Sequence, residues 1–292
     1  MSESSTHRAS DVGAAPVPPA VACLAEVLGT YLLVLLGCGA VHSAVLTGAQ
    51  SGLWQVAIVW GVAIMLAAYV VGGISGAHIN PAMTLALAAW GRFGWARVPQ
   101  YIASQFVGAF AAAATLFFLY GPYLSEREAE KGVLRGQAGS EVTAMCYGEY
   151  YPNPGPVSTA SGPYSAEANE KFRARVPHAA AFVAEFLGTL ILSLVVFAVT
   201  DERNSGGPAR GFAPVFIGLT VSVLISILAP LTQACFNPAR DFGPRLFAYV
   251  AGWGEIAIPG PNGIGCFTVY LVAPIAGAWA GGGVWTMGVG RK

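Results

Sequence analysis

Charge is scarce in this chain. Of its 292 residues only 10% are Asp, Glu, Lys or Arg, where an average globular chain carries about 25%. The fifteen acidic and fifteen basic side chains cancel, which excludes a nucleic-acid binder working through bulk positive charge. A hydrophobic content of 55% excludes a wholly disordered chain. Cysteine is sparse and scattered, at Cys23, Cys38, Cys146, Cys235 and Cys266, with no Cys-x-x-Cys pair and no histidine cluster nearby. Neither a metal site nor a disulfide framework is expected. One bridge, between Cys146 and Cys266, stays open because both can lie outside the membrane. Also missing are a nucleophile–base–acid set, a Gly-rich phosphate loop and metal-ligand spacing, so neither an enzyme nor a cofactor is indicated.

What is plentiful is uninterrupted apolar sequence, with a mean hydropathy of +0.58. A helix needs about 20 apolar residues to cross the hydrocarbon core. Six stretches qualify, near 21–46, 53–71, 98–120, 178–200, 212–230 and 267–289. The first is too long for a signal-peptide core and has no convincing cleavage site, so it reads as a span. Two shorter runs, 80–90 and 237–250, read as re-entrant half-spans. The expected fold is an all-α membrane protein with six transmembrane helices and two re-entrant half-helices. Residues 1–20 are polar, Ser/Ala/Pro-rich and expected to be disordered. An even number of spans puts both termini on one side. Arg8, Arg92, Arg97, Arg203, Arg210, Arg291 and Lys292 fall on that side, so both termini are expected in the cytoplasm of a plasma or inner membrane. Segment 121–177 carries six Lys/Arg and seven Glu. Its length and mixed charge give it little weight in the orientation, and its Tyr, Pro and Gly content suggests an ordered extracellular cap.

The chain repeats itself. Ala25-Glu26-Val27-Leu28-Gly29-Thr30 returns as Ala184-Glu185-Phe186-Leu187-Gly188-Thr189, and Asn80-Pro81-Ala82 returns as Asn237-Pro238-Ala239. The two pairs keep nearly the same offset. The expected organisation is a single channel domain, 21–292, made of repeats 21–120 and 178–290 joined by the extracellular loop 121–177. Each repeat holds three spans, an odd number, so the second copy enters the membrane inverted.

Asn-Pro-Ala suits the start of a half-length helix. Asn caps free backbone N–H groups with its side-chain oxygen, and Pro fits the first helical position. Two such helices entering from opposite faces bring two N-termini, each with about half a positive charge, to the bilayer centre. A cation or hydronium meets a barrier there, whereas a neutral hydroxyl or water oxygen is a good acceptor. The preceding segments, Gly76-Ala77-His78-Ile79 and Gln233-Ala234-Cys235-Phe236, are expected to be extended and to line a wet lumen with carbonyl oxygens, the only setting that tolerates them at that depth.

Arg240 is an outlier inside a short apolar segment and should face water or a partner. It reads as a fixed charge and donor fork at the outer mouth; the alternative is a structural ion pair with Asp241. Glu26 and Glu185, at matching positions, read as acceptors that support the two half-loops, with a proton relay as the alternative. His78 could titrate, but its side chain reads as a loop anchor. His42 and His178 look interfacial, and His7 belongs to the tail. Gly29, Gly37, Gly61, Gly72, Gly73, Gly76, Gly108, Gly188, Gly218, Gly277 and Gly281 read as close helix crossings.

With both motifs in hand, the sequence resembles the major intrinsic protein family of aquaporins and aquaglyceroporins over about 22–290. The resemblance rests on Ser75-Gly76-Ala77-His78-Ile79-Asn80-Pro81-Ala82 and Asn237-Pro238-Ala239-Arg240. Asp241, Arg245, Pro274-Ile275, Tyr151-Pro152-Asn153-Pro154 and Thr200-Asp201 are similar to the glycerol-facilitator branch. The resemblance implies an aquaporin-like right-handed bundle, a homotetramer with one pore per subunit, and a filter at Trp60, Ile225, Ala234 and Arg240. Bacterial glycerol facilitators carry Gly and a second aromatic where Ile225 and Ala234 stand; this combination is closer to plant nodulin-type channels. The filter lacks the His of strict water channels, which implies room for glycerol. The implied function is passive conduction of glycerol, other small neutral solutes and water, with ions and protons excluded. A mainly water-selective pore and a gradient-coupled transporter are the alternatives.

Overall fold

The structure is a computed structural model that describes residues 17–50 and 52–290. Most of the tail 1–20, including His7 and Arg8, lies outside the described residues, as do Arg291 and Lys292. The first helix already begins at Pro19. Proline fits a first turn, where no N–H is needed, so its last two residues belong to a span.

Six helical stretches are long and apolar enough to cross a membrane: Pro19–Thr47, Leu53–Ser75, Trp95–Lys131, His178–Val199, Ala213–Thr232 and Gly265–Val289. Within them we label α1 (Pro19–His42), α2 (Leu53–Ser75), α4 (Val98–Lys131), α5 (His178–Val199), α6 (Ala213–Thr232) and α8 (Ala273–Gly283). Between spans lie two short helices, α3 (Pro81–Ala89) and α7 (Pro238–Ala248). Leu24, Val107, Phe118 and Ile227 stand exposed on the outer wall, a surface suited to acyl chains and costly in water.

The packing repeats. α1 lies against α2 and α4, and α5 lies against α6 and α8. Each short helix packs on the last span of the other half, α3 on α8 and α7 on α4. Tyr101 on α4 donates to the Ser75 carbonyl at 2.9 Å, and Tyr270 before α8 donates to the Thr232 carbonyl at 3.2 Å. Gly108 faces the Val27 carbonyl, and Gly277 faces the matching Phe186 carbonyl.

The seam between halves is α2 on α6, crossing at Gly61 and Gly218. A Cβ on Gly61 would stand 2.5 Å from the Gly218 carbonyl oxygen. Backbone cannot swing aside as a side chain can, so the helices would have to part. We expect Gly61→Ala to cost about 3 kcal/mol and to lower the thermal stability of the detergent-solubilised protein; an unshifted melting curve would refute the crossing. Gly281 is a close approach of the same kind, under the Leu190 carbonyl, whereas Gly29, Gly37 and Gly188 lie against the side chains of Ile79, Trp60 and Phe236. Gly72 and Gly73 are not close approaches. An added Cβ at Gly73 would meet nothing within 4 Å, and at Gly72 only the Ala77 Cβ at 3.9 Å. Gly76 is a helix terminator, with a left-handed φ of 87° that ends α2.

The third span outruns its apolar stretch and continues to Lys131. Hydropathy falls after 120, but Glu126, Arg127, Glu128 and Glu130 are good helix formers, and Arg127 pairs with Glu130 at 3.1 Å. The rest of 121–177 is ordered, with short helices at Glu141–Ala144, Gly155–Thr159 and Ala166–Arg173. Ala144, Met145 and Tyr147 form a buried cluster with Trp253. All five cysteines are free thiols, Cys146 and Cys266 included.

Candidate functional site: a conduit where two half-helices meet

Asn80 caps α3, its side-chain oxygen accepting from Ala82 N at 2.9 Å. Asn237 caps α7, accepting from Ala239 N at 3.1 Å and Arg240 N at 3.3 Å. The carboxamides then cross over. Asn80 Nδ2 donates to the Phe236 carbonyl at 2.9 Å, and Asn237 Nδ2 donates to the Ile79 carbonyl at 2.8 Å. This reciprocal pair joins the two helix N-termini and uses one N–H of each amide. Each NH2 carries two donors, so one remains on each side. Pro81, Ala82, Pro238 and Ala239 are buried behind the asparagines and set their backbone geometry.

The approach segments are contorted alike. Ala77 and Ile79 have φ of 50° and 41°, and Gln233, Ala234 and Phe236 have φ of 62°, 60° and 52°. Left-handed non-glycine residues cost about 1–3 kcal/mol each and persist only where their surroundings hold them. A buried carboxylate does so in each half. Glu26 accepts from His78 N at 2.9 Å, Ile79 N at 2.7 Å, Ser75 Oγ at 2.6 Å and Gln105 Nε2 at 2.8 Å. Glu185 accepts from Cys235 N and Phe236 N, both at 2.9 Å. His78 meets Thr84 Oγ1 through Nδ1 at 3.2 Å and packs on Phe93 and Tyr101.

A cavity of about 430 Å³ runs past this junction. Its wall includes Gly76 to Asn80 on one half and Ala234 to Asn237 on the other. Trp60, Ile225, Ala234 and Arg240 all line it. The Arg240 guanidinium lies 4.2 Å from the centre of a Trp60 ring. Apolar side chains of α1, α2, α5 and α6, such as Leu33, Ile64, Leu192 and Val221, complete the wall. The conduit is therefore amphipathic, with carbonyls and amides on two loops and aliphatic carbon on four spans.

Several residues stand elsewhere than the sequence suggested. Gln233 is not in the cavity wall. Its side chain accepts from Tyr150 N at 2.9 Å and donates to Met145 O at 3.2 Å, tying α6 to the 132–177 segment. Arg240 does not pair with Asp241. Its carboxylate partner is Glu149, which is buried in the same segment. Asp241 holds Arg245 at 2.9 Å and accepts from Glu149 N at 2.6 Å, so it anchors that segment to α7. His42 is fully buried, not interfacial, between Tyr120 and Tyr147. His178 is exposed at the start of α5, with Nδ1 3.1 Å from the Tyr151 hydroxyl. Glu149 and Gln105 were invisible as site residues, since nothing local in the sequence ties either to a motif.

Trp60 has a tight seat. A Cβ on Gly37 would overlap its ring, and Trp60 is only 3% exposed. We expect Gly37→Ala to push the indole into the lumen and cut solute flux about tenfold while the protein still folds. Vesicle swelling checks this, and unchanged flux would show that the ring has room.

With the geometry established, comparison with known proteins is direct. The sequence profile described as Major intrinsic protein matches residues 17–285. The chain is 39% identical over 268 residues to the glycerol uptake facilitator protein of Haemophilus influenzae, covering 92% of this chain and 93% of that one. It is also 39% identical over 270 residues to the propanediol uptake facilitator PduF of Citrobacter freundii, covering 92% of each. The fold matches the X-ray structure of the aquaglyceroporin from Plasmodium falciparum with a TM-score of 0.75, at 24% identity, over 92% of this chain and 96% of that one. Six spans, two capped half-helices meeting tip to tip and a profile match over nearly the whole chain lead to one conclusion: this is a multi-pass membrane protein that belongs to the major intrinsic protein family.

Proposed function

We propose that the chain is a passive channel for glycerol and related small neutral polyols, which also passes water and excludes ions and protons. The observation that carries this reading is the single cavity whose wall holds both cap asparagines together with Trp60 and Arg240. A polyol has a carbon edge and a hydroxyl edge. The aliphatic wall suits the first, and the carbonyls and amides suit the second, accepting and donating in turn. The names of the relatives from H. influenzae and C. freundii, a glycerol and a propanediol facilitator, point the same way. In this reading Asn80 and Asn237 are the central donors, and Trp60, Ile225, Ala234 and Arg240 form the filter. The carbonyls of Gly76 to Ile79 and of Cys235 form the track, while Glu26, Glu185 and Asp241 hold the frame.

A cation loses water on entry and finds donors and two positive helix ends in return, so its barrier is electrostatic. The domain division is read as one channel unit of two inverted repeats, with the 132–177 segment outside the cell and both termini in the cytoplasm. Homotetramers are the expected assembly, to be read by native mass spectrometry. The test of function is stopped-flow light scattering on vesicles. We expect glycerol-driven reswelling well above bare lipid, insensitive to imposed pH or sodium gradients. Water flow without glycerol flow would make the protein a water channel instead, and gradient-driven uptake would make it a coupled transporter.

A further inference from the structure

Two charged side chains, among the described residues, stand in the wall of the conduit, and both are arginines. Arg240 has been placed in the filter. The other, Arg92, follows α3 and entered the sequence reading only as a marker of orientation. The two lie at different ends. Arg92 lies past the far end of α3, about 14 Å of helix from its Asn80 cap, whereas Arg240 lies in the first turn of α7, on the other side of the crossed asparagines.

The settings match piece by piece. The Arg240 guanidinium stacks on Trp60 at 4.2 Å, and that of Arg92 stacks on Phe197 at 4.4 Å. Each has a carboxylate partner that is absent from the cavity wall: Glu149 for Arg240, and Asp201, at 3.2 Å, for Arg92. Arg92 is further fixed by donating through Nη1 to the Phe197 carbonyl at 3.1 Å and to Thr200 Oγ1 at 3.2 Å. Asp201 is itself held by Arg203 at 2.8 Å and by Trp285 Nε1 at 2.9 Å. Those donors, Arg203 first, keep its carboxyl well below the usual carboxylate range, so it stays charged. Glu202 is the other acidic neighbour, and it is exposed. The side of this cluster that faces the lumen is the cationic one. A tether between loops needs only the ion pair; a guanidinium held over an aromatic face and present in the wall of the conduit repeats the arrangement of Arg240 and Trp60.

We propose that Arg92 is a second charge filter, at the mouth opposite Arg240, which repels cations before they reach the paired asparagines. The conduit then carries a fixed positive charge at each end as well as two helix N-termini at its centre. This rests on the channel reading above.

The test reads the local potential directly. Leu87, half-buried on α3, lines the same end of the cavity. Leu87→Cys in a Cys23→Ser background is treated in detergent with a cationic and an anionic methanethiosulfonate of equal size, and the modification rates are compared by peptide mass spectrometry at position 87, so that any reaction of Cys235, which also lines the cavity, is counted apart. We expect the anionic reagent to be favoured. Adding Arg92→Met should shift the rate ratio toward the cationic reagent by about tenfold, Arg92→Lys should keep it, and Asp201→Asn should move it the other way. A role as a mere tether would make Arg92→Met and Asp201→Asn act alike, and that result overturns the proposal. So does a ratio unmoved by Arg92→Met, with the channel reading left standing. If neither reagent reaches Cys at position 87, the conduit is not open to solution and the channel reading itself fails.

Discussion

Arg240→Val is expected to turn an ion-tight channel into a proton-leaking one. Two unit charges 4 Å apart interact by about 4 kcal/mol at an effective dielectric near 20, so removing the guanidinium takes a large part of the outer barrier away. The structure adds a second effect that the motif does not announce. Glu149 is 1% exposed and pairs with Arg240, and its Oε2 has no hydrogen-bond partner among the described residues. With valine at 240 this carboxylate is left buried and unpaired, and the local charge changes sign. We expect the proton conductance of proteoliposomes, followed with an internal pH dye, to rise about a hundredfold or more. Arg240→Val/Glu149→Gln removes both charges and should leak less than the single variant. Equal leaks would show that Glu149 has no electrostatic influence on the lumen, and no leak in either would assign Arg240 to structure alone.

Glu26→Ala is expected to be the most destabilising substitution in the chain, and more so than Glu185→Ala. Glu26 serves four donors from Ser75, His78, Ile79 and Gln105, while Glu185 serves the backbone N–H groups of Cys235 and Phe236 and the Thr232 hydroxyl. The asymmetry has a structural origin. Tyr101 and Gly108 on α4 correspond to Tyr270 and Gly277 near α8, which puts Pro274 where Gln105 stands. Proline offers no side-chain donor, so the second half lacks that bond. Hydrogen bonds to charged groups contribute about 1.5–3 kcal/mol each, and without the carboxylate nothing holds the left-handed residues in place. We expect Glu26→Ala to cost about 5 kcal/mol or more and Glu185→Ala about 3–4, read as the fraction of monodisperse protein surviving a heat step in detergent. Equal losses would mean that Gln105 contributes nothing beyond what the two backbone donors and one hydroxyl give in each half.

The reach of the sequence can be judged at particular residues. Span number, the half-helices and the pairing of the two Asn-Pro-Ala motifs were readable because each is a local property: hydropathy over a window, a cap followed by proline, a recurring hexapeptide. The length of α4 was not legible because hydropathy reports where lipid stops, whereas helix propensity carries the helix on to Lys131. Gly61 and Gly73 are chemically identical in the sequence, yet only Gly61 lies under a neighbouring backbone.

By itself the sequence determined that this chain has six stretches able to cross a membrane, that its halves repeat the same motifs, and that two capped helix ends exist to be brought together. Those features depend on residues close in the chain or related by the repeat. Tertiary structure alone decided which charge answers which. Arg240 looked nearest to Asp241, but in an α-helix successive side chains point about 100° apart, so adjacent residues on α7 face different partners. Arg240 turns to Trp60 and Glu149, Asp241 to Arg245, and Arg92 to Phe197 and Asp201. Each of those meetings, apart from the one within α7, joins segments far apart in the chain, and only packing sets such distances.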